Sequence, residues 1–175
     1  MEKTITPPRI TTEILSFCHE IDQTQSPCYI PVKPGEGDEV DQCFDNVKNK
    51  IKKVGGTQEF GWILWETPGL LIEAEFHSNW ISPNGERTDI TPKRDGERQI
   101  LFLPDSKKIF KNELVENLRK KLVANNDELD KRIKFAEVAF RWKRKNFDGY
   151  RVNLKSFEDD MRRAARTMED LGIPL

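Results

Sequence analysis

Three residues of this chain have the types and settings that covalent chemistry at a carbonyl carbon requires: Cys43, His77 and Asp89. Cys43 falls at the start of a segment in which Val40, Phe44, Val47, Ile51 and Val54 recur at helical spacing. Free backbone N–H groups and the helix dipole at such an end stabilise a thiolate, the nucleophilic form of cysteine. His77 sits in an alternating segment that reads as a β-strand, and Asp89 on the strand that returns from the turn Ser82-Pro83-Asn84-Gly85. An imidazole so placed takes the thiol proton, while a carboxylate fixes its tautomer and stabilises its cation. Each residue also has a plainer reading. A buried thiol packs as a small apolar group, and a histidine is satisfied by one structural partner.

The number of residues in the turn decides whether the histidine and aspartate can meet. A two-residue Asn84-Gly85 loop sets Trp80 opposite Asp89 and sends the carboxylate to the face away from His77. A three-residue loop, Pro83 to Gly85, sets Asn79 opposite Asp89 and makes Asp89 a diagonal neighbour of His77. Such neighbours stand roughly 7–8 Å apart in the backbone, within reach of these side chains. A triad therefore demands an odd loop or a bulge.

The elements that must hold these residues are legible from periodicity. The region up to Glu39 is rich in proline and reads as one short helix (Ile14, Leu15, Phe17, Ile21) in irregular chain. The helix carrying Cys43 has Asp38 or Asp41 to cap it and Gly55-Gly56 to stop it. FGWILWE is apolar on both faces and reads as a central strand ending at Thr67-Pro68-Gly69. From Leu70 to Ile81, Leu70, Ile72, Ala74 and Phe76 form a core face, and Glu73, Glu75, His77 and Asn79 a polar one. Arg87 to Thr91 is the return strand, and QILFLPD another short strand. Beyond Pro104 the apolar spacing predicts helices at Leu114, Leu118 and Leu122, at Leu129 to Phe140 after the Asn125-Asn126-Asp127 cap, and at Phe157 to Leu171 from Ser156. Without β-α-β alternation the class is α+β: residues 1–105 form a core of one helix on a small antiparallel sheet, and residues 106–175 a helical extension packed on that core.

Composition narrows the classes of function. The 175 residues carry 29 Lys and Arg against 30 Asp and Glu, a net charge of −1 that excludes a wholly basic nucleic-acid binder. No apolar run approaches the ~20 residues of a bilayer span, and the first twenty residues lack the apolar stretch of a signal peptide. A soluble, cytoplasmic protein with no membrane partner is the expectation. Cys18, Cys28 and Cys43 are odd in number and match no C-x-x-C spacing, so neither a disulfide framework nor a zinc cage is expected.

The phrase FHSNWISPNGERTDITP resembles the histidine-tryptophan strand, glycine turn and aspartate-threonine-proline return of the transglutaminase-like branch of the papain-like superfamily. That resemblance rests on Cys43, His77, Trp80, Asp89, Thr91 and Pro92. It implies a papain-like or transglutaminase-like core in which Cys43 is the nucleophile, His77 the base and Asp89 the orienting group. From about Pro31 to Asp105, the runs CFDNVKNKIKKVGG, GWILWETPGLLIEAEFHSNW, DITP and ILFLPD are similar to bacterial and phage proteins labelled SEC-C-motif or zinc-chelation proteins. The label refers to a cysteine-rich tail, and this chain has no cysteine after Cys43, so no zinc site is carried over.

Around the triad, Gln42 and Gln58 are the residues able to donate to an oxyanion, and Trp80 and Glu75 the residues able to line a groove. Glu73 and Glu75 read first as a solvated strand face, and beside His77 they form only a poor metal site, so no metal or cofactor is expected. RWKRK, residues 141–145, interleaves tryptophan with cations, but a helix C-terminus favours positive charge without any nucleic acid. Two functions remain. One is a cysteine-dependent hydrolase, deamidase or acyltransferase working on an amide or thioester of a protein or peptide. The other is a non-catalytic binding or inhibitory protein that presents its polar face and C-terminal helices to a partner. Sulfur and imidazole beside an open groove favour the first, a buried Cys43 the second.

Overall fold

The computed structural model describes residues 3–149 together with 152, 153, 155, 158, 159, 162, 163 and 166. The chain divides into two compact units, Met1–Phe110 with Asn117–Val123, and Lys111–Glu116 with Ala124–Leu175. In chain order the described elements are α1 (Thr12–Ile21), β1 (Cys28–Pro31), α2 (Cys43–Val54), β2 (Thr57–Thr67), β3 (Leu71–Ile81), β4 (Arg87–Thr88), β5 (Gln99–Pro104), β6 (Leu118–Lys121) and α3 (Asp127–Lys145). The class is therefore mixed α and β with an antiparallel sheet.

The first unit is built on that sheet, in the order β1-β5-β2-β3-β4, with β6 pairing β3 as well. Strands β2 and β3 pair from Thr57↔Ile81 to Thr67↔Leu71 without a break, the long central hairpin that FGWILWE and the alternation after it foretell. One face buries Ile30, Ile63, Ile100 and Phe102, with Cys28, Val32 and Trp65 packed against them. Each such side chain taken from water contributes about 1.5–3 kcal/mol, which fixes the register. The other face carries Phe60, Trp62 and Phe76, over which α2 lays Phe44.

The sheet curls until its edges meet. Beyond β4, the Asp89 N–H donates to the Pro31 carbonyl at 3.0 Å and the Lys33 N–H donates to the Asp89 carbonyl at 2.8 Å, joining Asp89 to Val32 beside β1. This shortens the expected return strand: Arg87–Thr88 pairs with β3, and Asp89 turns to the opposite edge. It also corrects the expectation of a solvated polar face, because His77 and Asn79 are 3% and 0% exposed.

Leu118 to Lys121 is a strand, not part of a helix through Leu114, Leu118 and Leu122. Its pairing with Leu71–Ala74 is reinforced by Arg119, whose Nε donates to Glu73 at 2.9 Å, and Lys120 ties it to α1, 2.5 Å from Glu20. The second unit holds α3, capped by the Asn126 side chain accepting from the Leu129 N–H, with acidic residues in its first turn and Lys143, Arg144 and Lys145 in its last. Lys145 sits over the Trp142 ring at 4.8 Å, which accounts structurally for the basic run at 141–145. Of the helix expected from Ser156, residues 158, 159, 162, 163 and 166 are helical; its apolar positions Phe157, Met161, Ala164, Met168 and Leu171 lie outside the described residues.

Candidate active site

The hairpin between β3 and β4 has a three-residue loop. The Ser82 N–H donates to the Glu86 carbonyl at 2.9 Å, which leaves Pro83, Asn84 and Gly85 unpaired, and the Gly85 N–H donates back to the Ser82 carbonyl at 2.9 Å. Gly85 takes φ of 84°, the left-handed residue that a three-residue hairpin needs. Trp80 pairs with Thr88 and Ile81 with Arg87, after which Asp89 leaves β3 to pair with Val32 and sets its carboxylate against His77. The parity that a triad demands is met.

His77 Nε2 lies 3.1 Å from Asp89 Oδ1, with both side chains almost wholly buried. The distance is that of a hydrogen bond, but the N–H direction is off the oxygen. Attraction of charge therefore carries most of the contact, and catalytic contacts of this kind often tighten only around a substrate. The same oxygen accepts the Thr91 N–H at 2.9 Å. On the other oxygen, Oδ2, stands Lys93 Nζ at 2.6 Å, its side chain 9% exposed.

Burial works against the His77 cation, but Asp89, seconded by Cys43, outweighs it and raises the imidazole from 6.5 to about 9, with Lys93 opposing. Burial also works against the Asp89 anion, and there His77 and Lys93 prevail, lowering the carboxyl to about 2. The pair is a charged one at neutral pH.

Cys43 is the first residue of α2, 7% exposed, and near enough to His77 for its charge to act on the imidazole. Neither Asp38 nor Asp41 caps this helix. The cap residue is Gln42, whose side chain makes no capping bond, and Asp41 before it takes φ of 63°. The first-turn N–H groups of α2 are thus left without a side-chain acceptor beside the sulfur. Residues 75–79 of β3 lie between the stretch paired with β6 and the stretch paired with β4. That interval carries His77, and the chain around Asp89 to Lys93 closes on it. Nε2 faces Asp89, which leaves Nδ1 as the other nitrogen of the ring.

The other residues singled out from sequence are placed differently. Gln42 adjoins Cys43. Gln58 donates its amide to Ser78 Oγ at 2.7 Å, and Trp80 donates to the Gly55 carbonyl at 2.9 Å with Lys50 over its ring at 5.1 Å, a joint between β3 and the end of α2. Glu75 is exposed and accepts from Trp65 Nε1 at 2.7 Å. Among the described residues no group of three or more His, Cys, Asp or Glu gathers to hold a metal, and no helix is long and apolar enough to cross a membrane.

Two residues that sequence reasoning missed complete the setting. Asn46, one turn after Cys43, accepts the Glu39 N–H at 3.0 Å and donates to the Glu39 carbonyl at 2.8 Å and to Thr91 Oγ1 at 3.4 Å. It ties the helix of the thiol to the loop of the carboxylate. Lys93 is the second, and no spacing in the sequence marks it. Comparison with family models, curated proteins and solved structures finds no match, so the reading of the site rests on its chemistry.

Proposed function

We propose that this protein is a cysteine-dependent hydrolase or acyltransferase acting on an amide or thioester bond, with Cys43 as nucleophile, His77 as proton carrier and Asp89 as the group that orients His77. The observation that carries the reading is the buried imidazole whose Nε2 faces the Asp89 carboxylate at 3.1 Å, together with a thiol at an uncapped helix start whose charge acts on that imidazole. The resemblance of the Cys43, His77, Trp80, Asp89, Thr91 and Pro92 pattern to transglutaminase-like enzymes agrees with it.

Cys43 and His77 share one proton between Sγ and Nδ1. In the reactive state the proton is on the imidazole, and the sulfur attacks the carbonyl carbon to give a tetrahedral intermediate. The first-turn N–H groups of α2 face the developing oxyanion. As the C–N or C–S bond breaks, Nδ1 delivers the proton to the leaving amine, ammonia or thiol, and the acyl group remains on Cys43 as a thioester. Water or an amine then adds to that thioester, losing a proton to Nδ1, and the product acid or new amide departs.

The low exposure of Cys43 favours the second reading, a binding or inhibitory protein on the same scaffold. On the His77 strand face His77 and Asn79 are closed off while Glu75 is exposed, and α3, on which only Leu129 is buried, offers a further surface. Intact-mass measurement after incubation with a small acyl thioester separates the two. An acyl adduct on Cys43, lost in Cys43→Ser and slowed in His77→Ala, supports the enzyme, and release by water or by added amine tells hydrolysis from transfer. Acylation that is the same in all three chains rejects it.

A further inference from the structure

We propose that Lys93 is a positioning residue of this site, which holds the Asp89 carboxylate between two cations and offsets part of its charge, so that His77 can release a proton as well as hold one. The inference rests on the enzymatic reading above. Its ground is geometric. Asp89 divides its oxygens, Oδ1 meeting His77 Nε2 and the Thr91 N–H, and Oδ2 meeting Lys93 Nζ at 2.6 Å.

A lysine is rarely taken out of water, because desolvating an ammonium is unfavourable without a partner. Its neighbours in the chain behave in the ordinary way: Arg94 reaches Asp41 at the surface, and Asp95 pairs with Lys3 at 3.3 Å, also at the surface. Lys93 turns inward, to a carboxylate that is itself 0% exposed. The charges acting on His77 are Asp89, Cys43 on α2 and Lys93, and Lys93 acts in the opposite sense to the other two. Of the other charges on the neighbouring strands, Glu59 of β2 is matched with Arg87 of β4 at 2.9 Å and Glu73 of β3 with Arg119 of β6, and Glu75 of β3 is exposed and accepts from Trp65. With Asp89 alone beside it, a buried imidazole is held as a cation. That favours the attack of sulfur but hinders both later steps, in which the proton must leave Nδ1 for the departing group and return from water or an amine.

The chain has two histidines, His77 and the exposed His19 on α1, so NMR titration of the imidazoles resolves each without turnover. Removing a unit charge that stands just across the Asp89 carboxylate from the imidazole, in a medium of intermediate dielectric, should move the His77 midpoint by roughly half to two pH units. Lys93→Met is therefore expected to raise the His77 midpoint by that amount and leave His19 unmoved, with Lys93→Arg restoring it. Should Lys93→Met not fold, Lys93→Gln gives the same comparison. In the unsubstituted chain the Lys93 ammonium signal should shift as His77 titrates. A His77 midpoint unchanged or lowered in the neutral variants, or a Lys93 signal indifferent to His77, overturns the proposal. A raised midpoint without acylation of Cys43 keeps Lys93's charge role and rejects the enzyme; acylation with an unmoved midpoint rejects the Lys93 role alone.

Discussion

Replacing Asp89 by Asn keeps the shape of the side chain and removes the one charge that both His77 and Lys93 contact. Leaving a buried ion without its partner costs about 3–5 kcal/mol, and here a wholly buried imidazole and a nearly buried ammonium lose theirs together. The pH dependence offers a second route to the magnitude. A histidine raised from 6.5 to about 9 in the folded state binds its proton more tightly there than in the unfolded chain. Its stabilisation, about 3 kcal/mol, is complete below pH 6.5 and is lost as pH rises through 9. Asp89, lowered from 3.8 to about 2, behaves in the reverse sense: its contribution is present above pH 3.8 and is lost as pH falls through 2. The two describe one interaction from its two ends and are not added. Urea unfolding followed by tryptophan fluorescence reads the relevant region, since Trp62, Trp65 and Trp80 lie on β2 and β3. At pH 6 Asp89→Asn should lose about 3 kcal/mol or more, and the fall in stability between pH 6.5 and 9 should flatten. Adding Lys93→Met should recover at least about 1 kcal/mol, because the unpaired ammonium goes with it. A loss below about 1 kcal/mol, with the pH dependence unchanged, would refute the reasoning.

Asn46→Ala breaks the tie between α2 and Thr91 and leaves the Glu39 backbone groups short of partners, so about 1–3 kcal/mol should be lost in the same urea assay. Alkylation of Cys43 should change with it, while that of Cys28 does not. Gly61 stands opposite His77 in the β2–β3 register, and a Cβ there would lie 2.2 Å from the Leu103 carbonyl oxygen and 2.5 Å from the Phe102 ring. Gly61→Ala should therefore lower the thermal midpoint by an amount equivalent to about 1–3 kcal/mol, and a melt matching the unsubstituted chain would show that the sheet yields more readily than this packing allows.

Much of the scaffold was legible because periodicity reports it directly. The alternation along β3 and the helical spacing after Asp41 reflect which side chains share a face, and these survive in the structure as β3 and α2. Alternation does not say whether a face is open. Glu73, Glu75, His77 and Asn79 read as solvated, and the curling of the sheet through the Asp89 to Val32 pairing buries the last two. β1 escaped notice because it is four residues long and set among prolines. At β6 the leucines four apart imitated a helix, yet Leu118 is 39% exposed and the strand is held by Arg119 and Lys120, whose partners lie far away in sequence. The site shows the same division. Residue types and local settings marked Cys43, His77 and Asp89, and loop parity told what their meeting required. Lys93 and Asn46 acquire their roles only when the Asp89 loop comes up against β3 and α2, an approach that no local pattern encodes.

The central claim, that His77 activates Cys43, is tested by brief iodoacetamide treatment and mass mapping of the three thiols. Accessibility and activation rank them differently. Cys28 is half-buried, Cys43 is 7% exposed and Cys18 is 0% exposed. Burial also pushes the Cys28 thiol up, and Cys18 up to about 12. If exposure alone governs, Cys28 is labelled first. If a base and a helix start activate the sulfur, Cys43 is labelled first in spite of its burial, and His77→Ala slows it by about tenfold or more. Labelling of Cys28 ahead of Cys43, or a Cys43 rate indifferent to His77, would contradict the claim.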